Sequence, residues 1–122
     1  MLWIIIAVIC VIIACLVYAF PIIEVCGDSM YPTFNDGDII LGCRLFNIEN
    51  KAVYVFHPPV GEKYVIKRLT HISKYNALFF EGDNADCSFD SRMYGYVSRN
   101  KVVAKYVFTI YKRKESNDNG GK

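Results

Sequence analysis

Hydrophobic and polar positions divide the chain into two parts with different patterns. Residues 1–23 are apolar throughout and contain no charged side chain. At 1.5 Å per residue a helix of this stretch would be about 34 Å long, enough to cross the roughly 30 Å hydrocarbon core of a bilayer. Pro21 cannot continue the helical hydrogen-bond ladder, so the sequence predicts a membrane anchor over residues 1–21.

Three interpretations of this first segment compete. A cleavable secretory signal would begin with basic residues, have a shorter apolar region and end in small residues at a cleavage site. This chain has no Lys or Arg before the run and no Ala-x-Ala pair at its end. A buried helix of a soluble core is seldom an uncharged run of more than twenty residues. We therefore expect a retained single-pass anchor.

Charged residues after the anchor indicate its orientation. Lys and Arg accumulate on the cytoplasmic side of a span, and here none occurs before the span or after it until Arg44. All charged residues in the stretch between the span and Arg44 are acidic, and they are Glu24, Asp28, Asp36 and Asp38. We expect the following domain on the extracytoplasmic side of the membrane and the N-terminus in the cytoplasm.

After the anchor, short β-branched and aromatic runs alternate with turn residues, a pattern typical of strands. No later segment has a sustained helical period, so the sequence predicts a mainly β fold. One small β domain would cover residues 22–112, and a basic and polar disordered tail would cover 113–122. The predicted extended segments are 22–26, 38–41, 52–56, 64–72, 76–81 and 101–111, with a long polar loop over 82–95.

Composition limits the possible functions of the chain. Its 122 residues, with a net charge of +2, leave room for one domain beyond the anchor. The absence of CxxC spacing predicts neither a zinc site nor a disulfide framework, although one disulfide among the last three cysteines stays open. The cysteines are Cys10, Cys15, Cys26, Cys43 and Cys87.

Several binding functions find no support in the sequence. It has no phosphate-binding glycine loop and no dense basic and aromatic patch, so we expect no nucleic-acid partner and no metal or cofactor. The basic run at residues 112–114 is either a solvated tail or a weak attraction to anionic lipid head groups.

Residues 27–33, with the sequence GDSMYPT, place one serine in a constrained turn. Pro32 fixes its own φ and restricts Tyr31 to extended or turn geometry. Such a turn is also ordinary chain punctuation. Ser29 is therefore a candidate nucleophile only if a base stands beside it.

A candidate base, Lys67, occurs in the run YVIKRL at residues 64–69. Side chains alternate along a strand, so Val65, Lys67 and Leu69 share one face and Arg68 points to the other. A lysine among apolar neighbours loses hydration, which lowers its pKa from about 10.4. In the neutral form it can accept a proton from a serine, as in Ser-Lys hydrolases. The alternative is a strand lysine that extends its ammonium group to water.

A third block makes the pattern specific. Residues 82–95 contain GDN, then S-x-D-S-R, then G. With GDSMYPT and IKR in this order, the chain closely resembles the type I signal peptidases, which are membrane-bound serine proteases with a Ser-Lys dyad. It resembles a minimal, Lys-type member of that family. The resemblance implies a small signal-peptidase-like catalytic β domain.

The resemblance also implies a role for each matching residue. Ser29 matches the nucleophile, Lys67 the general base, and Ser88 the hydroxyl that orients the lysine. The backbone N–H of Ser29, with main-chain donors at Gly27 or water, would stabilise the oxyanion. Two ion pairs are expected to support the site without doing chemistry, and they are formed by Arg68 with Asp83 and by Asp90 with Arg92.

Two features depart from the family's pattern. Some members have a serine at the position of Gly27, and its hydroxyl joins the oxyanion hole. The segment between Lys67 and Gly82 leaves no room for the large inserted domain of many members. This short spacing is similar to the eukaryotic and archaeal enzymes, but those have histidine where this chain has Lys67. His57 and His71 are expected to be ordinary surface or loop histidines.

Substrate recognition follows from the same resemblance. A signal peptide would lie extended between residues 25–27 and 64–66 and pair by main-chain hydrogen bonds. Shallow apolar pockets would admit small side chains at the first and third positions before the cut. Core packing is the alternative role for each residue of these pockets. The expected lining residues are Val25, Cys26, Met30, Val65 and Ile66.

Together these features predict a membrane-anchored serine endopeptidase that removes N-terminal signal peptides from exported preproteins through an acyl-enzyme. One alternative is a maturation peptidase of the same clan that acts on a single pilus-like or transfer-system protein. Another is a non-catalytic membrane-anchored domain that binds a partner. The clan's self-cleaving repressors are soluble, and the apolar anchor argues against that role. The expected partners are preprotein signal peptides and membrane lipid, while the oligomeric state stays open.

Overall fold

The structure, a computed structural model, describes residues 1–61 and 63–114 and consists of one long helix followed by a six-stranded sheet. The predicted mainly β fold with one N-terminal helix is confirmed. Two 3-10 turns, Ala85–Cys87 and Arg99–Lys101, lie on either side of α2 in the chain. The helices and strands are α1 (Leu2–Ala19), β1 (Ile22–Glu24), β2 (Ile39–Cys43), β3 (Val53–Phe56), β4 (Val65–Ile72), β5 (Leu78–Glu81), α2 (Ser91–Tyr94) and β6 (Val102–Tyr111).

The helix α1 is the uncharged segment at the N-terminus. None of its 18 residues is buried, and it has no charged side chain in its first or last turn. Its length is about 27 Å at 1.5 Å per residue. A helix that is hydrophobic all round needs an apolar environment, and α1 is long and apolar enough to cross a membrane.

The sheet is antiparallel in every pairing and has the strand order β1-β2-β6-β3-β4-β5. The last strand in sequence, β6, therefore lies in the interior between β2 and β3. The edge strand β5 begins to pair with β4 at Arg68, opposite Glu81. Within the described residues, positions 65–67 of β4 consequently have a strand partner on one side only, β3.

Two apolar clusters hold the domain together, and β3 separates them because all four of its residues are buried. One cluster lies under the β1–β2 loop. It contains Val25, Met30, Phe34, Ile40, Val53, Val55, Ile66 and Ala104. The other lies on the opposite face of β3, where α2 also packs. It contains Tyr54, Phe56, Leu69, Leu78, Phe80 and Val97.

The strand boundaries differ from the predicted ones by one or two residues: β1 ends at Glu24, β5 begins at Leu78, and β2 begins after Asp38. Asp38 precedes β2 instead of beginning it, and it is fully buried. Its carboxylate accepts hydrogen bonds from the Asn35 N–H at 2.8 Å, the Arg113 N–H at 2.8 Å and Lys112 Nζ at 3.2 Å. Because Lys112 also donates to the Thr33 carbonyl, the end of β6 is tied to the loop before β2.

The predicted polar loop over residues 82–95 contains more local structure than expected. A 3-10 turn and the single-turn helix α2 form within it, and Asp90 caps α2 by accepting from the Arg92 N–H at 3.1 Å. Of the predicted tail, residues 115–122 lie outside the described residues. Arg113 belongs to the ordered contacts around Asp38, one residue beyond the predicted domain end.

Candidate active site

Ser29 lies in the loop that joins β1 to β2. Two backbone hydrogen bonds close the base of this loop, from the Val25 N–H to the Asp38 carbonyl at 2.8 Å and from the Gly37 N–H to the Val25 carbonyl at 2.7 Å. Val25 and Met30, on either side of Ser29, are buried in the first cluster. The peptide bond between Tyr31 and Pro32 is cis. The serine is thus presented between two anchored apolar residues.

Lys67 faces Ser29 from the part of β4 that pairs with β3 but not with β5. Its Nζ lies 2.6 Å from Ser29 Oγ, and its side chain is almost fully buried. The cross-strand neighbour of Lys67 is Tyr54, which is itself completely buried. Burial lowers the pKa of Lys67, and the nearby charge of Asp90 opposes this shift only in part. At a given pH, a larger fraction of Lys67 is therefore in the neutral form that can accept a proton than for an exposed lysine.

Ser88 and Asp90 form a second polar pair beside Lys67. The Ser88 hydroxyl donates to Asp90 Oδ2 at 2.6 Å, and within the described chain no hydrogen bond joins Ser88 to Lys67. Burial raises the pKa of Asp90. Hydrogen bonds from Arg92, Gly82 and Ser88 lower this pKa by a larger amount, so the net pKa lies well below its usual range. Ser88 therefore binds Asp90 and does not make the expected contact with Lys67. The charge of Asp90 acts on both residues.

The two predicted ion pairs are present in the structure. Arg92 binds Asp90 through Nε at 2.9 Å and Nη2 at 2.6 Å, and Arg68 binds Asp83 through Nε and Nη2, both at 2.9 Å. The hydrogen bond from Arg68 lowers the pKa of Asp83, and Thr33 also donates to this carboxylate. Asp83 therefore links the β4 strand that carries Lys67 to the loop that carries Ser29.

The GDN block has a physical explanation at each position. A Cβ at Gly82 would overlap Ser88 Oγ and lie 2.6 Å from the Ser29 carbonyl oxygen, so only glycine fits. The Asn84 N–H donates to that same carbonyl at 2.9 Å, and Asn84 Nδ2 donates to the Asp28 carbonyl at 3.0 Å. The GDN block therefore holds the serine turn by hydrogen bonds to the main-chain carbonyls of Ser29 and Asp28.

The oxyanion donors agree only in part with the predicted set. Within the described residues the Ser29 N–H has no acceptor, so it is free to bind a developing oxyanion. The Gly27 N–H is not free, since it donates to Asp36 Oδ1 at 2.8 Å. The φ of Gly27 is +87°, a left-handed value that favours glycine over serine. Gly27 thus shapes the turn, and its amide is not an oxyanion donor in this conformation.

A groove of about 480 Å³ runs past the two candidate catalytic residues. All five predicted pocket residues line it, but they differ in burial. Val25, Met30 and Ile66 are also core residues, while Cys26 is exposed and Val65 is half-buried. Packing and pocket lining are thus combined in the first three. The full lining is Ile23, Glu24, Val25, Cys26, Ser29, Met30, Val55, Lys63, Tyr64, Val65, Ile66 and Lys67.

Several supporting residues were not assigned a role from the sequence. Thr33, Asn84 and Ser91 lie inside the recognised motifs, and only their hydrogen bonds reveal what they do. Ser91 is buried and accepts a hydrogen bond from the Phe80 N–H at 2.9 Å. Asp36 belongs to a turn signal, but nothing in its spacing indicates the bond to Gly27.

Other candidate groups lie away from this chemistry. His57 packs against Tyr64 with ring centroids 4.0 Å apart, and His71 contacts Phe79 edge-on at 6.3 Å. All five cysteines are free thiols. Within residues 1–61 and 63–114, no group of three or more His, Cys, Asp or Glu side chains is arranged to hold a metal ion.

A small antiparallel β domain that presents a serine hydroxyl to a buried lysine is the arrangement of a serine peptidase. A family model described as Peptidase S24-like matches residues 18–95, more than half of the chain. The chain belongs to this Peptidase S24-like family, whose members have a serine-peptidase-type fold. No curated protein matches the sequence.

Proposed function

We propose that this protein is a membrane-anchored serine endopeptidase that removes N-terminal signal peptides from exported preproteins after small residues. The observation that carries the proposal is the 2.6 Å separation between Ser29 Oγ and the buried Lys67 Nζ. The uncharged helix α1 supports a membrane anchor, which would hold the domain close to the membrane in which such substrates are embedded. The resemblance of three sequence blocks to type I signal peptidases supports the substrate class.

The proposed reaction has two stages, acylation and hydrolysis of the acyl-enzyme. Neutral Lys67 takes the proton of Ser29 as Oγ attacks the scissile carbonyl, and the Ser29 N–H stabilises the oxyanion. Loss of one such donor costs about 3 kcal/mol in known serine proteases. Lys67 then gives its proton to the leaving amine, and an acyl-enzyme remains. Lys67 next deprotonates a water molecule, which hydrolyses the ester and restores the Ser29 hydroxyl.

The groove supports binding of an extended peptide. Of the predicted substrate-binding segments, residues 25–27 already use the Val25 N–H and carbonyl and the Gly27 N–H within their own loop. Among the described residues, the edge strand β1 pairs with β2 alone, and residues 65–67 of β4 pair with β3 alone. Both therefore have main-chain groups free for a substrate strand, the mode of β-augmentation. Val25, Met30 and Ile66 form a close-packed floor between them, which favours small substrate side chains over large ones.

Cleavage of a preprotein with Ala at the first and third positions before the cut tests this function. The full chain is reconstituted in lipid, and mass spectrometry identifies the cleavage position. We expect Ser29→Ala and Lys67→Ala each to reduce kcat by on the order of 10³-fold or more, because the dyad residues act as a unit. Ser98→Ala and Lys101→Ala are matched controls, since both residues are exposed.

Three results would change the proposal. Full activity in either dyad variant would refute the Ser-Lys mechanism. Cleavage of a single pilus-like or transfer-system protein, with no other preprotein of a panel processed, would instead favour a dedicated maturation peptidase. Absence of any cleavage would favour a binding domain. Protease accessibility of the C-terminal residues in intact cells tests whether the domain lies on the extracytoplasmic side.

A further inference from the structure

A second cavity lies outside the catalytic groove, at the end of α1. It encloses about 660 Å³, and nearly all of its lining is apolar. Much of one wall comes from a face of α1, where Val11, Ala14, Cys15 and Tyr18 follow the spacing i, i+3, i+4 and i+7. Leu16, Ala19 and Phe20 complete this wall. The other wall is residues 44–45, directly after β2. We call this cavity the α1 recess.

The walls of the α1 recess are fixed to each other. The last carbonyls of a helix have no intrahelical donor, and here β2 and the residue after it supply donors. The Arg44 N–H donates to the Ala19 carbonyl at 2.8 Å, and Arg44 Nε donates to the Tyr18 carbonyl at 2.8 Å. The Arg44 guanidinium also lies over the Tyr18 ring, 4.9 Å from its centroid. The Gly42 N–H donates to the Pro21 carbonyl at 2.9 Å, so the residues that follow α1 are also joined to the sheet.

The α1 recess and the catalytic groove both adjoin a third cavity. This smaller cavity of about 120 Å³ lies between them. It shares Arg44 with the α1 recess, and it shares Ile23, Val55 and Tyr64 with the groove beside Ser29. Neighbouring cavities therefore lie along the surface between α1 and the candidate nucleophile.

We propose that the α1 recess docks the apolar, membrane-embedded segment of the substrate while the catalytic groove holds its extended segment. This inference rests on the proposed function. An apolar helix packs well against α1 at the recess, because Ala14 and Cys15 are small and permit close approach. Leu45, whose side chain is 80 % exposed, is positioned to contact such a helix. A lipid chain would fit the recess but would not extend along these cavities to Ser29.

Two substrates separate this docking role from the chemistry. One is the full preprotein, and the other is a short soluble peptide that spans the same cut but lacks the apolar segment. Ala14→Phe fills the recess without touching the groove. We expect it to raise KM for the preprotein at least tenfold and to leave KM for the peptide unchanged. Ile13→Phe is the control, since Ile13 is exposed on the side of α1 away from the recess.

The outcomes of this comparison are distinct. An equal loss on both substrates, or no loss on either, would overturn the docking role while leaving the peptidase function intact. A wild-type protein that cleaves neither substrate would refute the proposed function itself, and the docking role with it. Preprotein cleavage that Ile13→Phe impairs as strongly as Ala14→Phe would show a general effect on the helix and would also overturn docking.

A photo-reactive residue gives an independent measurement in the inactive Ser29→Ala protein. Benzoyl-phenylalanine is placed at position 45, and at position 13 as the control. We expect light-dependent adducts with the preprotein's apolar segment from position 45, at least fivefold more than from position 13. Adducts with phospholipid alone from position 45 would assign the recess to lipid and overturn the proposal.

Discussion

Asp90→Asn is the most informative single change in the site, because it tests how the buried carboxylate acts on Lys67. The charge of Asp90 raises the pKa of Lys67 against the lowering effect of burial. Removing that charge should lower the pKa of Lys67 further. In the proposed mechanism the neutral amine is the base, so the acidic limb of kcat/KM should move to lower pH. The maximal rate should fall at the same time, because Ser88 loses its charged acceptor.

The same substitution has a cost in stability that the contacts bound. The carboxylate of Asp90 accepts five hydrogen bonds, from Gly82, from Ser88 and three from Arg92. Asparagine keeps one acceptor oxygen and places an amide against these donors. We expect a loss of about 3 kcal/mol, which corresponds to a decrease in Tm on the order of 15 °C for a domain of this size.

The assay is the pH dependence of peptide cleavage, at a temperature where circular dichroism shows that the variant is folded. Asp86→Asn is the matched control, since Asp86 lies on the same loop but is exposed. It should leave both the pH profile and Tm unchanged. An acidic limb that stays in place or moves to higher pH in Asp90→Asn would refute the electrostatic link between Asp90 and Lys67.

Three further predictions concern the polar groups around the serine. Gly82→Ala should reduce cleavage at least tenfold, because its Cβ would overlap Ser88 Oγ, and an unchanged rate would contradict the close packing there. Lys67→Met should abolish cleavage but raise the free energy of unfolding by about 1 kcal/mol in denaturant titrations, since it removes a buried amine; a less stable variant would contradict this. The folded pKa values of Asp83 and Asp90 lie below their unfolded values near 3.9. Their stabilisation is therefore present above about pH 4 and lost as pH falls below it, and a Tm that is constant from pH 5 to pH 2.5 would contradict that prediction.

The fold was largely predictable because its strands are β-branched and aromatic runs separated by turn residues. The boundaries were less so, since they depend on partners distant in sequence. Tyr64 continues the apolar run before β4, yet it lies outside the strand, which begins at Val65 opposite Phe56. Asp38 looked like the first residue of β2, but its carboxylate binds the end of β6.

The candidate site divides in the same way. Ser29 and Lys67 could be chosen from motifs, because a nucleophile and a base are recognisable residue types. The partner of Ser88 could not be chosen in this way, because its hydroxyl can point to Lys67 or to Asp90. The fold of the loop over residues 82–95 decides between them. The Gly27 amide looked like an available donor, and its bond to Asp36 depends on how the turn folds back.

The interior position of β6 has a consequence for the order of events during synthesis. The strands that carry and surround Lys67 are complete by residue 81, but β6 must insert between β2 and β3 before the sheet is continuous. The loop with Ser29 gains its contacts from Lys112 and Arg113 to Thr33 and Asp38 only at this stage. A nascent chain that lacks its last strand should therefore hold both candidate catalytic residues without their final geometry. We therefore expect proteolytic activity only after residues 102–113 have been made.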